Sequence, residues 1–403
     1  MLRKVHVRDV TVGMFVAEIE GSWLAHTLWK KRFAVDNEDI LNKLRNSGAV
    51  ECWIDTQQGK DLPTPSSNAA PSARPDTSTP SATKPKPTPQ SLGDELQTAT
   101  GILKCSKEAV TAMFAEARMG NAVDTTECAP MVDAIVQSVD RNAHALVTLC
   151  RLKHADEYTY LHSVSVCALM VSLGRHLGLD DKTCRDAGMA GLLHDLGKAV
   201  IPLEIINKPG KLTDQEFDII KSHPAQGHRM LLDSGVDNPH VLDVCLHHHE
   251  RVDGKGYPEA LSGEPLSLFA RMGAVCDVYD AITSDRPYKN GWDPAESLAR
   301  MASWEGHFDA TVFQTFVKTI GIYPVGSLVR MASGKLGVVV EQHPAKLTQP
   351  KVKLFFSISA GLPFAPKLVD LSQAHVNDKI VAREPPENWP FDYLDDLWSS
   401  HST

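Results

Sequence analysis

Between Gln57 and Ser91 Pro, Ser, Thr and Ala dominate the chain, and Leu62 is the only large aliphatic residue there. Such a stretch has too little apolar surface to offset the entropy of ordering it. It therefore cannot contribute to a core, and the chain must fold as separate modules on either side. We read 57–92 as a flexible, partly polyproline-type tether. It follows a small N-terminal module, 1–56, and precedes a long helical region, 93–320.

The 403-residue length is enough for two or three cores. The start, Met1-Leu2-Arg3-Lys4-Val5-His6, has charge but no apolar stretch typical of a secretory signal. No apolar run approaches the ~18–20 residues of a membrane span, and a cytoplasmic protein is expected. Eight cysteines are scattered without a Cys-x-x-Cys pair and read as buried, reduced thiols. A net charge of −9 argues against a broad nucleic-acid surface. A phosphate ligand would need cations gathered at one place.

In the first module, Val5–Val7 and Met14–Ile19 read as strands, Asp36–Ser47 as a helix capped by Asp36, and Cys52–Asp55 as a closing strand. Helical periodicity then dominates. Residues 93–152 form the leading helices, expected over 94–119 and 130–152. They are candidates for a homodimer surface or for a cover on the core. The following region, 153–320, carries helices at 158–178, 183–196, 213–233, 238–249, 267–284, 293–303 and 308–320. After Gly321 the pattern changes to strands. Ser327–Met331 and Leu336–Glu341 flank a hairpin turn, Val352–Phe356 is a third strand, and a loose acidic tail ends the 321–403 appendage. The expected fold is thus mainly α, with a small α/β module in front and a small β appendage behind.

Chemistry concentrates in the helices. His162, His194-Asp195, His223, the run His247-His248-His249 and Asp277 occupy about 115 residues of helical pattern. Imidazole and carboxylate suit Fe, Mn or Zn. An adjacent His-Asp pair can hold one metal by its imidazole and bridge to a second by its carboxylate. Two metals about 3.5–4 Å apart can clamp both oxygens of a phosphoryl displacement. The doublet ends the apolar run Gly191-Leu192-Leu193. Gly197 fits a left-handed helix end, and Lys198 would then face a phosphate oxygen. Adjacent histidines on a helix point ~100° apart, so His248 and His249 can reach two metals, or one metal and a supporting group. Asp280 lies one turn beyond Asp277 and shares its face. It can orient a ligand or Lys198, or be an ordinary helix carboxylate. Tyr257 can pack under the metals or line the pocket.

Several blocks resemble the HD-GYP family, a subgroup of the HD phosphohydrolases that hydrolyses cyclic di-GMP. They are Tyr158-Thr159-Tyr160-Leu161-His162-Ser163, His194-Asp195-Leu196-Gly197-Lys198, Lys208-Pro209-Gly210-Lys211-Leu212-Thr213 and His223-Pro224 with Gly227. The set continues with His248-His249-Glu250-Arg251 before Gly256-Tyr257-Pro258, and closes with the run from Asp277 to Lys289. The resemblance covers about 155–320. Residues 1–56 are similar to a small module of unknown function that often precedes such domains.

The resemblance implies an all-helical HD-type catalytic domain. His162, His194, Asp195 and Asp277 would hold one metal, and Asp195 would bridge to a second held by His223, His248 and His249. His247 has no counterpart as a ligand. Some relatives hold a third metal through a glutamate four residues before the first histidine. Here that position is Tyr158, and Glu157 is one residue out of register, so two metals are expected, iron or manganese ahead of zinc. Lys198, Arg286 and Lys289 would meet the substrate phosphates, with Asp195 and Lys198 closest to the chemistry. The implied reaction is attack by a metal-bridging hydroxide, giving linear pGpG and potentially GMP. The rival readings are an HD enzyme for another cyclic dinucleotide or nucleotide, and a non-catalytic signalling scaffold. A signalling partner for 1–56 completes the expectations.

Overall fold

The structure, a computed structural model, describes residues 2–19, 32–45, 51–60, 88–151, 158–263, 265–284, 291–343 and 345–399. They belong to two compact units, Met1–Thr88 and Pro89–Thr403.

The first unit is a four-stranded antiparallel sheet with one helix. Its elements are β1 (Leu2–His6), β2 (Phe15–Ile19), β3 (Phe33–Ala34), α1 (Glu38–Arg45) and β4 (Glu51–Asp55), in the sheet order β1-β4-β2-β3. Alternation on β4 turns Cys52 and Ile54 inward, where Leu41 and Leu44 of α1 join the same core. The helix is capped by Asn37 rather than Asp36: Asn37 Oδ1 accepts from the Ile40 amide at 2.9 Å. The two-residue β3 was too short to leave a periodic signal.

In the second unit the leading helices are α2 (Leu92–Arg118), α3 (Thr125–Arg141) and α4 (Ala145–Arg151). After them come α5 (Tyr158–His176), α6 (Asp181–Leu193), α7 (Leu203–Ile206), α8 (Asp214–Lys221), α9 (His223–Asp233) and α10 (Pro239–His247). The last three are α11 (Leu268–Thr283), α12 (Pro294–Ser303) and α13 (Ala310–Ile320). Helix α5 is central: residues 161–174 are buried on every face, and it packs on α2, α3, α4, α6, α11 and α13. A helix apolar all round is a core helix. The apolar positions of α2, including Leu96, Ile102, Val110, Met113 and Phe114, are buried within this unit. Helices α2 and α3 are pinned by Glu95, fully buried, which accepts from Arg141 at 2.6 and 2.8 Å and from Ser138 at 2.7 Å.

Two expected helices are broken, each for a local reason. The 130–152 helix divides at Asn142, whose side chain accepts from the His144 amide at 3.0 Å and starts α4. The 213–233 helix divides at Ser222, because Pro224 has no amide to continue the α8 ladder. The second break matters for the site.

Beyond α13 lies a five-stranded antiparallel sheet. Its strands are β5 (Leu328–Met331), β6 (Lys335–Glu341), β7 (Lys351–Ser357), β8 (Leu362–Asp370) and β9 (Ile380–Arg383), in the order β8-β7-β6-β5-β9. The expected hairpin and third strand are β5, β6 and β7. The tail is not loose. Its helix α14 (Leu394–Ser399) buries Leu397 and Trp398 and contacts β6. Phe391 packs edge-on against Phe355, with ring centroids 5.0 Å apart. The tail's acidic surface hid this aromatic anchor.

Candidate metal centre

The expected ligands lie at three helix ends and in two helix interiors. His194 caps the C-terminus of α6, His223 follows α8, and His248 caps the C-terminus of α10. Carbonyls in a helix's last turn are short of intrahelical partners, and each of these imidazoles uses one, His248 sharing Val244 O with its own backbone amide. His194 Nδ1 meets Gly191 O at 2.8 Å, His223 Nδ1 meets Ile220 O at 2.7 Å, and His248 Nδ1 meets Val244 O at 2.9 Å. Ile220 O is the acceptor that residue 224 would use in a continuous helix. Pro224 leaves it vacant for His223.

His162 sits inside α5, where the carbonyls serve the helix itself. Its Nδ1 takes a carboxylate instead, Asp280 Oδ2 at 2.7 Å, and Ser165 donates to the other oxygen of Asp280. A donated Nδ1–H fixes the tautomer and makes Nε2 the atom that can ligate. All four rings thus present Nε2 to one buried space.

That space has two sets of donor atoms. Asp195, His223, His248 and His249 place donors within 4.8 Å of one another, and His162, His194 and Asp277 do the same. Asp195 faces both. Its Oδ2 lies 3.5 Å from His162 Nε2 and 3.4 Å from His194 Nε2, and its Oδ1 lies 3.2 Å from His223 Nε2 and 3.7 Å from His248 Nε2. Asp277 Oδ1 is 3.0 Å from His162 Nε2. His194 Nε2 and Asp195 Oδ1 are buried with no hydrogen-bond partner among the described residues. Two orphaned donor atoms in a pocket of imidazole and carboxylate fit divalent cations.

Electrostatics point the same way for the two carboxylates and for His248 and His249, and the opposite way for His194. Burial pushes the Asp195 carboxyl up, but Lys198 and His194 outweigh it and hold it well below the ordinary carboxylate range. Burial likewise opposes ionisation of Asp277, and His162 and His194 reverse that. Burial, then neighbouring imidazoles, hold His248 well below its ordinary value and His249 at about 3, so both are neutral at pH 7. For His194 burial is overcome by Asp195 and Asp277, and its value is pushed up to about 10. Neutral imidazoles and ionised carboxylates are the forms that bind metal.

The flanking loop is built on Glu250, which the sequence did not single out. It is buried, and its carboxylate accepts from the Glu259 amide at 2.7 Å and the Leu261 amide at 3.1 Å. This ties the Gly-Tyr-Pro loop to the end of α10. Tyr257 stacks on His249, with ring centroids 4.7 Å apart and a 28° tilt. His247 turns away from the donor sets and bonds Asp243 at 2.8 Å. The signal for Glu250 was its place directly after the two histidines, and for Ser165 its place three residues beyond His162.

Other expectations change. Gly197 is not a left-handed helix end; it lies in a 3-10 turn, Leu196–Val200. A Cβ there would stand 1.9 Å from His223 O, so the glycine serves close approach between the His-Asp turn and α9. Lys198, expected at a phosphate oxygen, holds its Nζ 2.5 Å from Asp195 Oδ2. Lys208 pairs with Glu216 at 2.6 Å. Arg286 and Lys289 lie outside the described residues.

With the geometry established, known proteins narrow the reading. The HD domain family matches residues 139–312, and a domain of unknown function, DUF3391, matches residues 2–128. The cyclic di-GMP phosphodiesterase PA4108 of Pseudomonas aeruginosa is 52% identical over 400 residues, 99% of this chain and 96% of that protein. The chain belongs to the HD-GYP family of cyclic di-GMP phosphodiesterases. Among other relatives, the cyclic di-GMP phosphodiesterase response regulator RpfG of Xanthomonas campestris is 42% identical over 40% of this chain and 43% of its own length. The 3'3'-cGAMP-specific phosphodiesterase 1 of Vibrio cholerae is 35% identical over 40% of this chain and 38% of its own. A solved HD-GYP-type protein from Bdellovibrio bacteriovorus covers 78% of this chain and 98% of its own, at 15% identity and a TM-score of 0.46. Among the described residues of this HD-GYP protein, no helix is long and apolar enough to cross a membrane.

Proposed function

We propose that the protein hydrolyses cyclic di-GMP to linear pGpG at a centre of two divalent metals, iron or manganese ahead of zinc. One observation carries the reading: Asp195 offers a different oxygen to each of two donor sets, as a bridging ligand must. His162, His194 and Asp277 form one half, His223, His248 and His249 the other. Metals bound there would lower the pKa of water and neutralise charge on the phosphate.

The protein's own groups supply the rest. The Nδ1 anchors hold His162, His194, His223 and His248 with Nε2 toward the cluster. Lys198 stands at the edge of the cluster on Asp195 Oδ2, within reach of a phosphate oxygen. Arg286 and Lys289 add cations that an acidic chain must gather for a dianionic ligand. Arginine can meet phosphate through a bidentate fork. A second reading, hydrolysis of a mixed cyclic dinucleotide, is favoured by the cGAMP-specific relative.

The deciding experiment is metal analysis of anaerobically purified protein, followed by turnover of cyclic di-GMP and 3'3'-cGAMP on the same sample. About two metals per chain and a faster release of pGpG from cyclic di-GMP are expected. A fully metallated protein that turns over neither nucleotide would sink the reading, and a preference for 3'3'-cGAMP would replace the substrate.

A further inference from the structure

Helix α8 carries the only exposed phenylalanine among the described residues, Phe217 at 47%. An apolar ring in water at the first loop-flanking helix of a buried metal centre is unlike the other phenylalanines, which pack inside. Its surroundings connect it to the site. Phe217 meets the edge of Tyr257 at 6.5 Å between centroids, and Tyr257 in turn stacks on His249. A track of rings therefore runs from a metal-ligand imidazole out to solvent. Lys221, one turn further along α8, holds its ammonium over the Phe217 ring, 5.1 Å from the centroid, and pairs with the exposed Asp218; a base stacking on that face would displace the ammonium to the base's edge.

We propose that Phe217 is a stacking platform for one guanine of the substrate and that Lys221 selects guanine at the edge of that base. Every base has a π face, so stacking on an aromatic ring adds affinity without choosing the base. The choice comes from the edge. Guanine presents two acceptors, O6 and N7, to a lysine, whereas adenine puts an N6 amino donor beside its N7. A lysine next to the stacked ring thus favours guanine and disfavours adenine. The rigid end of the track, fixed at His249 through Tyr257, sets how far the base sits from the scissile phosphate. This inference rests on the cyclic dinucleotide reading above and adds the residues that recognise the base.

The test uses the full chain loaded with metal. Phe217→Ala should raise KM for cyclic di-GMP by about 5- to 150-fold, with kcat and metal content little changed. Phe217→Trp should restore KM, and Phe217→Leu, apolar but without a π face, should not. Lys221→Gln should narrow the preference for cyclic di-GMP over cyclic di-AMP. Equal rescue by Leu and Trp, or an unchanged KM in Phe217→Ala, overturns the platform. An unchanged preference in Lys221→Gln overturns the selector. If the unsubstituted, metallated chain turns over no cyclic di-GMP, the parent reading falls and this one with it; if it does and the variants behave like it, only this inference falls.

Discussion

His162 and the other three anchored histidines of the centre hold their imidazoles by different means. His194, His223 and His248 rest on backbone carbonyls three or four residues earlier, at helix ends. His162 rests on Asp280, with Ser165 behind it. The cause is position in the helix. A terminal turn has carbonyls to share, and a helix interior has none. One half of the centre therefore contains a side-chain anchor that a single substitution can remove, while in the other half His223 and His248 are anchored by backbone and His249 stacks on Tyr257.

The residue common to both halves gives the largest expected effect. Asp195→Ala should take hydrolysis to background and release metal from both halves, as read by metal analysis and turnover. Retention of one metal per chain would show that the halves bind independently and that Asp195 is not shared.

Removing the side-chain anchor should separate the halves. Asp280→Ala should weaken metal binding about 10- to 100-fold in the His162 half only, leaving about one tightly held metal per chain. Asp280→Asn keeps an acceptor for Nδ1 and should lose less. Equal weakening of both metals in a titration would mean that Asp280 supports the whole cluster.

The loop beside the His223 half offers a smaller effect. Glu250→Gln keeps one acceptor for two amides and should cost about 1–3 kcal/mol of stability, read as a lower Tm, with metal content kept. Loss of metal from that half would place Glu250 among the groups that position His249.

Acidity should distinguish the halves most gently. His194 takes up a proton with a value raised to about 10, so a cation entering its half must displace that proton at neutral pH. Affinity there should rise by up to roughly tenfold per pH unit from 7 to 9. His248 and His249 are already unprotonated across that range, and the other half should be flat. Parallel slopes in metal titrations would contradict the assignment of the proton to His194.

The clustered donor residues were legible in sequence because they lie in local blocks, His194-Asp195, His223-Pro224 and His248-His249, that resemble those of a known family. The break at Ser222 was missed: 213–233 read as one helix although Pro224 lacks the amide to continue it. What stayed hidden was contact between distant segments. Asp280 could be placed on the face of Asp277, but nothing local said that it reaches His162, 118 residues away. Lys198 was read toward a phosphate oxygen, and its contact with Asp195 three residues earlier was not foreseen. The acidic tail read as loose because Phe391 and Trp398 find their partners on β6 and β7, far back in the chain.

Gly197 and Gly227 meet backbone to backbone between the His-Asp turn and α9, and a Cβ on either would strike main-chain atoms at 2.5–2.8 Å or closer. The distance between the two donor sets is thereby gauged by bare peptide rather than by side chains. Drift in sequence can exchange a ligand, or retune an anchor such as Asp280, without altering that ruler. Descendants of this chain are free to change which ion they prefer, but a new spacing between ions would require rebuilding two segments at once.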